Sequence, residues 1–182
     1  KGRENPVTTG KATAIASGAF DSCTKIDSVE IGATVTTVGA GAFYGCTALY
    51  EVNFEGTKDD ASLTIKTGAF YGNTAIASIV LPENLYSLEE YAFGATSALK
   101  KVTINSVGVE GEIRFADLAF GSNYYLTSYN VQTLIIGDET PAFGIASVVG
   151  NKITALQISA KNTNFAKGER DEYYTADGTK LI

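Results

Sequence analysis

The sequence predicts a mainly β repeat solenoid of about six stacked coils, and two observations carry this prediction. An Ala-Phe pair returns along the chain at steps that alternate between 23 and 27 residues, with its aromatic members at Phe20, Phe43, Phe70, Phe93, Phe120 and Phe143. After each pair comes a short run in which apolar and polar residues alternate, such as Val29-Glu30-Ile31. A fixed period of this length is typical of proteins in which each coil buries its apolar side against its neighbours.

The composition excludes several functional classes. A formal net charge of −6 argues against nucleic acid as a partner and against a polybasic membrane patch. No apolar run approaches the ~20 residues of a membrane span. The chain has no histidine, which excludes Ser-His-Asp and Cys-His catalysis and histidine-ligated metal, and two cysteines alone cannot form a thiolate zinc site. We therefore expect no catalytic residue, no metal and no cofactor.

Each repeat consists of a short strand, the Gly-Ala-Phe turn, a polar turn and a second strand. Residues 1–11 are polar and form a lead-in or a partial first coil, and the repeats begin at Ala12. The strands after the turns are predicted at 29–31, 52–54, 79–81, 102–104, 134–136 and 156–158. Their period of two places Val, Ile and Leu inward. The segments before the turns, such as Leu63-Thr64-Ile65, predict a second set of strands.

Stacking explains the residue types. Equivalent residues of adjacent coils lie about 4.8 Å apart, the spacing of neighbouring strands, so each Phe is expected to stack on the next. The small Ala allows close approach of the backbones, and the preceding Gly supplies freedom in the turn. This Gly becomes Tyr91, Leu118 and Pro141 in the later repeats, so those turns are expected to differ.

Insertions and the two ends depart from the repeat. Extra residues at 55–60, 105–111 and 122–130 are expected to bulge outward as loops. Residues 12–161 form the solenoid, and residues 162–182 leave the pattern. We interpret that last segment as a C-terminal hairpin with a turn at Asp177-Gly178, which caps the stack, or as a truncated further coil.

The pattern Ala-Phe-x-x-Cys/Asn-x-x-Leu-x-x-Val-x-Ile resembles the BspA-type leucine-rich repeats of bacterial surface proteins. Its closest matches are residues 41–49 and 68–76, and the resemblance covers roughly residues 12–182. It implies a right-handed stack with a parallel sheet on its concave side. It also implies a secreted or surface-displayed bacterial protein linked to adhesion, with any signal or lipid anchor removed from this chain, and no catalytic residues.

The two cysteines occupy the same point of consecutive coils. Cys23 and Cys46 are 23 residues apart, and the later repeats have Asn73 and Thr96 there. A disulfide is one alternative. Parallel side chains keep their Cβ atoms near 4.8 Å, beyond the ~3.8 Å that a disulfide prefers. We favour two buried thiols in a small polar rung that bonds to the turn backbone.

Candidate ligand-binding residues lie on the outward side of the concave strands. The outward positions are Ser28, Glu30, Glu51, Asn53, Ser78, Val80, Lys101, Thr103, Thr133, Ile135, Ala155 and Gln157. Solenoids commonly bind through such a face, and we select Glu51, Asn53, Val80, Lys101, Thr103, Thr133 and Ile135. A second candidate is the tyrosine-rich insertion with Tyr124, Tyr125 and Tyr129, because tyrosine is frequent at interfaces.

The sequence therefore favours a non-enzymatic binding or adhesion module whose partner is an extracellular protein or a glycan. The alternative is a structural spacer, one part of a longer surface stalk without a ligand site of its own. An enzyme is the third class. Its candidate groups are the acidic pairs at 59–60, 89–90 and 138–139, but adjacent carboxylates in exposed turns do not face each other across a cleft as glycoside hydrolysis requires. The sequence names no ligand and no oligomeric state.

Overall fold

The computed structural model describes residues 6–121, 131–149, 153–167 and 173–175. These residues form short strands and one helical turn. In chain order the elements are β1 (Pro6–Thr8), β2 (Ala14–Ile15), β3 (Ser28–Ile31), β4 (Thr37–Val38), β5 (Glu51–Phe54), β6 (Leu63–Ile65), β7 (Ser78–Leu81), β8 (Leu85–Leu88), β9 (Lys101–Ile104), β10 (Arg114–Phe115), β11 (Thr133–Ile136), α1 (Ile145–Val148), β12 (Ala155–Ile158), β13 (Phe165–Lys167) and β14 (Tyr173–Thr175).

The predicted parallel β-solenoid is confirmed. The strands that follow the turns, together with β1, form the concave face as two parallel ladders, β1-β3-β5 and β12-β11-β9-β7. Equivalent residues pair in register, so that Val29 lies opposite Val52 and Ile79 opposite Val102. The strands before the turns form a second parallel sheet of order β10-β8-β6-β4-β2. Inward Val, Ile and Leu side chains of both sheets fill a single core.

The Ala-Phe turns form a third wall, and their phenylalanines stack in a column. Successive rings from Phe20 to Phe120 lie 4.9–5.4 Å apart between centroids, with interplanar angles of 4–11°. The backbone repeats the same contact, because the N–H of each Phe donates to the carbonyl of the next coil's Ala. These bonds run from Phe20 to Ala42, Phe43 to Ala69, Phe70 to Ala92 and Phe93 to Ala119, at 2.7–2.9 Å. Each coil is thus bonded to the next at the point where its largest side chain is buried.

The expectation that the turns at Tyr91 and Leu118 differ is wrong. Tyr91 has φ +56° and Leu118 has φ +60°, close to the φ of +61° at Gly41 in the same place. The inter-coil bonds hold the turn in its left-handed form even without glycine. Pro141 is different because its ring fixes φ near −65°, which excludes this conformation.

The left-handed positions yield a prediction about stability. Gly72 has φ +75° and Ala95, its equivalent one coil later, has φ +52°. A Cβ at Gly72 would meet no atom closer than 3.8 Å, so Gly72→Ala changes the conformational cost and not the packing. We expect it to lower the free energy of unfolding by about 1 kcal/mol, and Ala95→Gly to raise it by a similar or smaller amount. Urea denaturation measures both. A gain in stability from Gly72→Ala would contradict the left-handed backbone conformation at Gly72.

The sixth coil leaves the column. Phe143 packs edge-on against Phe115 and Phe165, with centroids 5.4 and 5.9 Å apart. The Phe120 N–H donates to Val148 of α1 instead of to the Ala of a sixth Ala-Phe turn. Beyond β12, β13 and β14 form an antiparallel pair. The predicted turn at Asp177-Gly178 lies outside the described residues.

The polar rung differs in part from its prediction. Cys46 is buried and its thiol donates to the Phe20 carbonyl at 3.1 Å, and burial raises the pKa of this thiol to about 11. Both cysteines are free, but Cys23 is only half-buried because it lies in the outermost complete turn. Thr96 donates to Phe93, as expected of the rung. Asn73 does not make the expected bond to the turn backbone, since its buried side-chain amide has no hydrogen-bond partner among the residues described.

Candidate functional site

The concave sheet is interrupted between β5 and β7. Both strands are fully described and lie next to each other, yet no ladder joins them. Elsewhere, the first N–H after each concave strand donates to the preceding coil, from Glu55 to Ile31, Asn105 to Leu81, Gly137 to Ile104 and Ser159 to Ile136. Pro82 occupies this position after β7, and proline has no N–H to donate to Phe54. One end of the β5–β7 ladder is thus missing a donor.

Phe54 adds a second reason for the interruption. It takes the last inward position of its strand, where the other concave strands have Ile31, Leu81, Ile104, Ile136 and Ile158. Its ring meets Phe70 edge-on, with centroids 6.4 Å apart and planes at 76°. The larger ring remains half-buried between the strands, whereas the aliphatic residues of β3, β7, β9 and β11 at this position are fully buried.

A groove follows this interruption. Its main cavity has a volume of about 650 Å³ and is lined by β5, β7 and the residues that flank them, including Tyr50, Phe54, Val80, Pro82 and Glu83. A second cavity of about 310 Å³ continues it across two more coils and shares Glu83 and Asn105 with the first. We call the two cavities together the interstrand groove. Their volumes are in the range of ligand pockets in proteins.

The loop at 55–62 between β5 and β6, which contains the insertion at 55–60, forms one wall of the groove, and polar contacts hold it in place. The Lys58 N–H donates to the Glu83 carboxylate at 3.2 Å, and the Lys58 ammonium lies 3.8 Å from the Glu139 carboxylate, which is two coils beyond Glu83. The Asn84 amide donates to Ala61 at 2.9 Å. A Cβ at Gly56 would overlap the side-chain amide of Asn84, so a larger residue at this position would displace that amide from its bond to Ala61.

Hydrogen bonds stabilise the ionised form of two carboxylates beside the groove, Asp60 and Asp138. Asp60 accepts bonds from the Thr57 N–H at 2.8 Å and the Thr57 hydroxyl at 2.9 Å, and these lower its pKa. Asp138 accepts bonds from the Ser159 hydroxyl and from the Lys161 ammonium, and these lower its pKa in turn. Both groups are therefore negative at neutral pH.

The groove contains some of the candidate residues from the sequence. Glu51, Asn53 and Val80 line it. Lys101, Thr103, Thr133 and Ile135 lie on β9 and β11 of the same sheet face but line neither cavity. Tyr124, Tyr125 and Tyr129 lie outside the described residues.

One outward position was predicted wrongly. Ser28 is 1% exposed and lies opposite Pro6 of β1 on one side and Glu51 of β5 on the other. Its hydroxyl donates to Asp27 at 3.2 Å.

Sequence reasoning missed the residues that make the groove deep. Tyr50, Phe54, Glu83 and Asn105 line it, and none of them had been selected. Two signals were visible in the chain: an aromatic residue at a position otherwise aliphatic, and a proline at the first residue after β7.

The described residues contain no group of three or more Cys, Asp and Glu side chains placed to hold a metal ion. Within the same residues, no helix has the length and hydrophobicity needed to cross a bilayer.

Comparison with known proteins decides the family. The model of the family described as the BspA type leucine rich repeat region matches residues 4–127 in six copies. The chain belongs to the BspA-type leucine-rich repeat family. The BspA-type match ends before the Ala-Phe pair of the sixth coil, which is where Phe143 leaves the column.

Solved leucine-rich repeat structures share the fold of this BspA-type chain. One is a leucine-rich repeat protein of T. pallidum, with 18% identity, a TM-score of 0.64 and coverage of 86% of this chain and 70% of that one. Another is the pneumococcal vaccine antigen PcpA, with 17% identity, a TM-score of 0.55 and coverage of 86% and 42%. No curated protein sequence matches the chain.

Proposed function

We propose that this chain is a non-enzymatic binding or adhesion module of a secreted or surface-displayed bacterial protein, and that its ligand is an extracellular protein or a glycan. The interstrand groove carries the proposal, because it opens a ligand-sized concavity in the sheet face that solenoids commonly use. Family membership and the lack of histidine support a scaffold without catalysis. Lys101, Thr103, Thr133 and Ile135 extend the proposed contact surface beyond the groove, and the tyrosine-rich insertion is a second proposed contact.

The second candidate is a structural spacer. The regular hydrogen bonds of the turns from Phe20 to Ala119 favour it, because a stack of coils joined by identical bonds can serve as a spacer without binding a ligand. For either role we propose the same division of the chain: a lead-in or partial first coil at 1–11, the solenoid at 12–161, and a cap or truncated coil at 162–182.

Arrays of extracellular-matrix proteins and glycans test this proposal. We expect a saturable signal from the folded chain that Lys101→Ala/Thr103→Ala weakens several-fold. Lys66→Ala is the matched control, because Lys66 is also an exposed lysine but follows β6 of the other sheet. Absence of any saturable signal from a chain with a cooperative unfolding transition would favour the spacer.

A further inference from the structure

The interstrand groove is acidic along its length. Glu55 and Glu83 line the main cavity with Glu51, and Asp138 and Glu139 line the second cavity. Among the described residues that line the two cavities, Lys58 is the only one with a basic side chain. Its ammonium is 3.8 Å from Glu139, and both side chains are more than half exposed, so this ion pair is weak and readily exchanged.

These carboxylates are distributed and do not converge on one point. No three of the described Asp, Glu and Cys side chains approach closely enough to hold a metal ion. A single small cation therefore does not fit the charge pattern. Several cationic groups spaced along an extended ligand fit it better, because each can meet its own carboxylate.

Apolar surface lies between the charges. Val80 is 54% exposed and Tyr50 is 42% exposed, and both line the main cavity together with the half-buried ring of Phe54. Exposed apolar groups of this size beside carboxylates favour a ligand with both kinds of side chain. An extended peptide presents both kinds on one side when they alternate at every second position, since residues i and i+2 of a strand point to the same side.

We propose that the interstrand groove binds an extended peptide segment of a partner protein in which arginine or lysine and aliphatic residues alternate at every second position. The inference rests on the proposed role as a binding module and names the partner chemistry of that site. The guanidinium or ammonium groups pair with Glu55 and Glu83, and arginine does so with two parallel hydrogen bonds. An aliphatic side chain of the peptide covers Val80. The peptide's cationic groups compete with Lys58 for Glu139.

Synthetic peptides test the groove directly. The probe is a fluorescent peptide in which arginine and valine alternate at every second position with serine between them. Its partner probe has citrulline in place of arginine, which keeps the shape and removes the charge. In fluorescence anisotropy, we expect the arginine peptide to bind the whole chain roughly tenfold more tightly than the citrulline peptide does. The citrulline peptide loses the charge-assisted hydrogen bonds to the carboxylates. Equal affinity of the two peptides would overturn the proposal.

Variants locate the site. Glu55→Gln/Glu83→Gln is expected to weaken the arginine peptide roughly tenfold, Val80→Ser several-fold, and Lys58→Ala is expected to strengthen it. The matched control is Glu90→Gln/Glu110→Gln, which removes the same charge from exposed residues that line neither cavity. If the control weakens binding as much as the groove variant, the attraction comes from the net charge of −6 and the proposal fails.

The array experiment separates the two levels of inference. A saturable array ligand whose binding is unchanged by Glu55→Gln/Glu83→Gln, together with no peptide binding, overturns the groove proposal and leaves the binding module standing. Peptide binding that the groove variant removes and the control retains supports both. Thermal unfolding of each variant confirms that lost binding is not lost folding.

Discussion

Phe70→Ala is expected to lower the free energy of unfolding by about 3–5 kcal/mol, the usual cost of removing a fully buried phenyl ring. Phe70 is fully buried and stacks on Phe43 at 5.1 Å and on Phe93 at 4.9 Å, and it also meets the edge of Phe54. The substitution leaves a cavity that the two neighbouring coils cannot close independently, because backbone bonds from Phe43 to Ala69 and from Phe70 to Ala92 hold them at a fixed spacing.

The chain offers a matched control at its end. Phe20 occupies the same place in the repeat but is only partly buried and stacks on one described ring, Phe43. We expect Phe20→Ala to cost less than half as much as Phe70→Ala. Urea denaturation followed by circular dichroism measures both. Similar losses of stability in the two variants would show that stacking on two neighbouring rings stabilises the fold no more than stacking on one.

Gly39→Ala is expected to destabilise the fold by about 2–3 kcal/mol, near the upper end for overpacking. A Cβ at Gly39 would lie 2.4 Å from the Ser17 nitrogen, 2.7 Å from the Ala16 carbonyl carbon and 2.8 Å from the Ile15 oxygen. All three are backbone atoms of the preceding coil, so no side chain can rotate away. The two coils must separate, which weakens the bond that the Gly39 N–H donates to Ile15 at 2.9 Å.

Gly18→Ala separates this clash from the general cost of replacing glycine. Gly18 has φ +64° and no atom within 4 Å of a Cβ, so its substitution should cost only about 1 kcal/mol for the left-handed conformation. Urea denaturation ranks the variants, and hydrogen exchange should show lost protection at Gly39 and its neighbours in Gly39→Ala. A smaller cost for Gly39→Ala than for Gly18→Ala would contradict the close approach of the two coils.

The recurring Ala-Phe pair predicted most of the fold because the repeat is a one-dimensional pattern. Phe20 to Phe120 stack as their spacing required, and the period of two placed Val29, Val52 and Ile79 in the core. The candidate site was predicted only in part. Glu51, Asn53 and Val80 line the groove, but the break between β5 and β7 that opens the groove was not predicted.

The sequence by itself determined the number of coils, the inward side of each strand and, through the absence of histidine, which catalytic systems cannot operate. The tertiary structure alone decided where neighbouring coils approach or separate. Gly39 must be glycine although Lys66 takes the same place one coil later, and Tyr91 adopts a glycine conformation without being one. The physical reason is the same in each case. The spacing of two coils depends on the side chains and backbone donors of both at once, and Phe54 and Pro82 act together only after the chain has stacked.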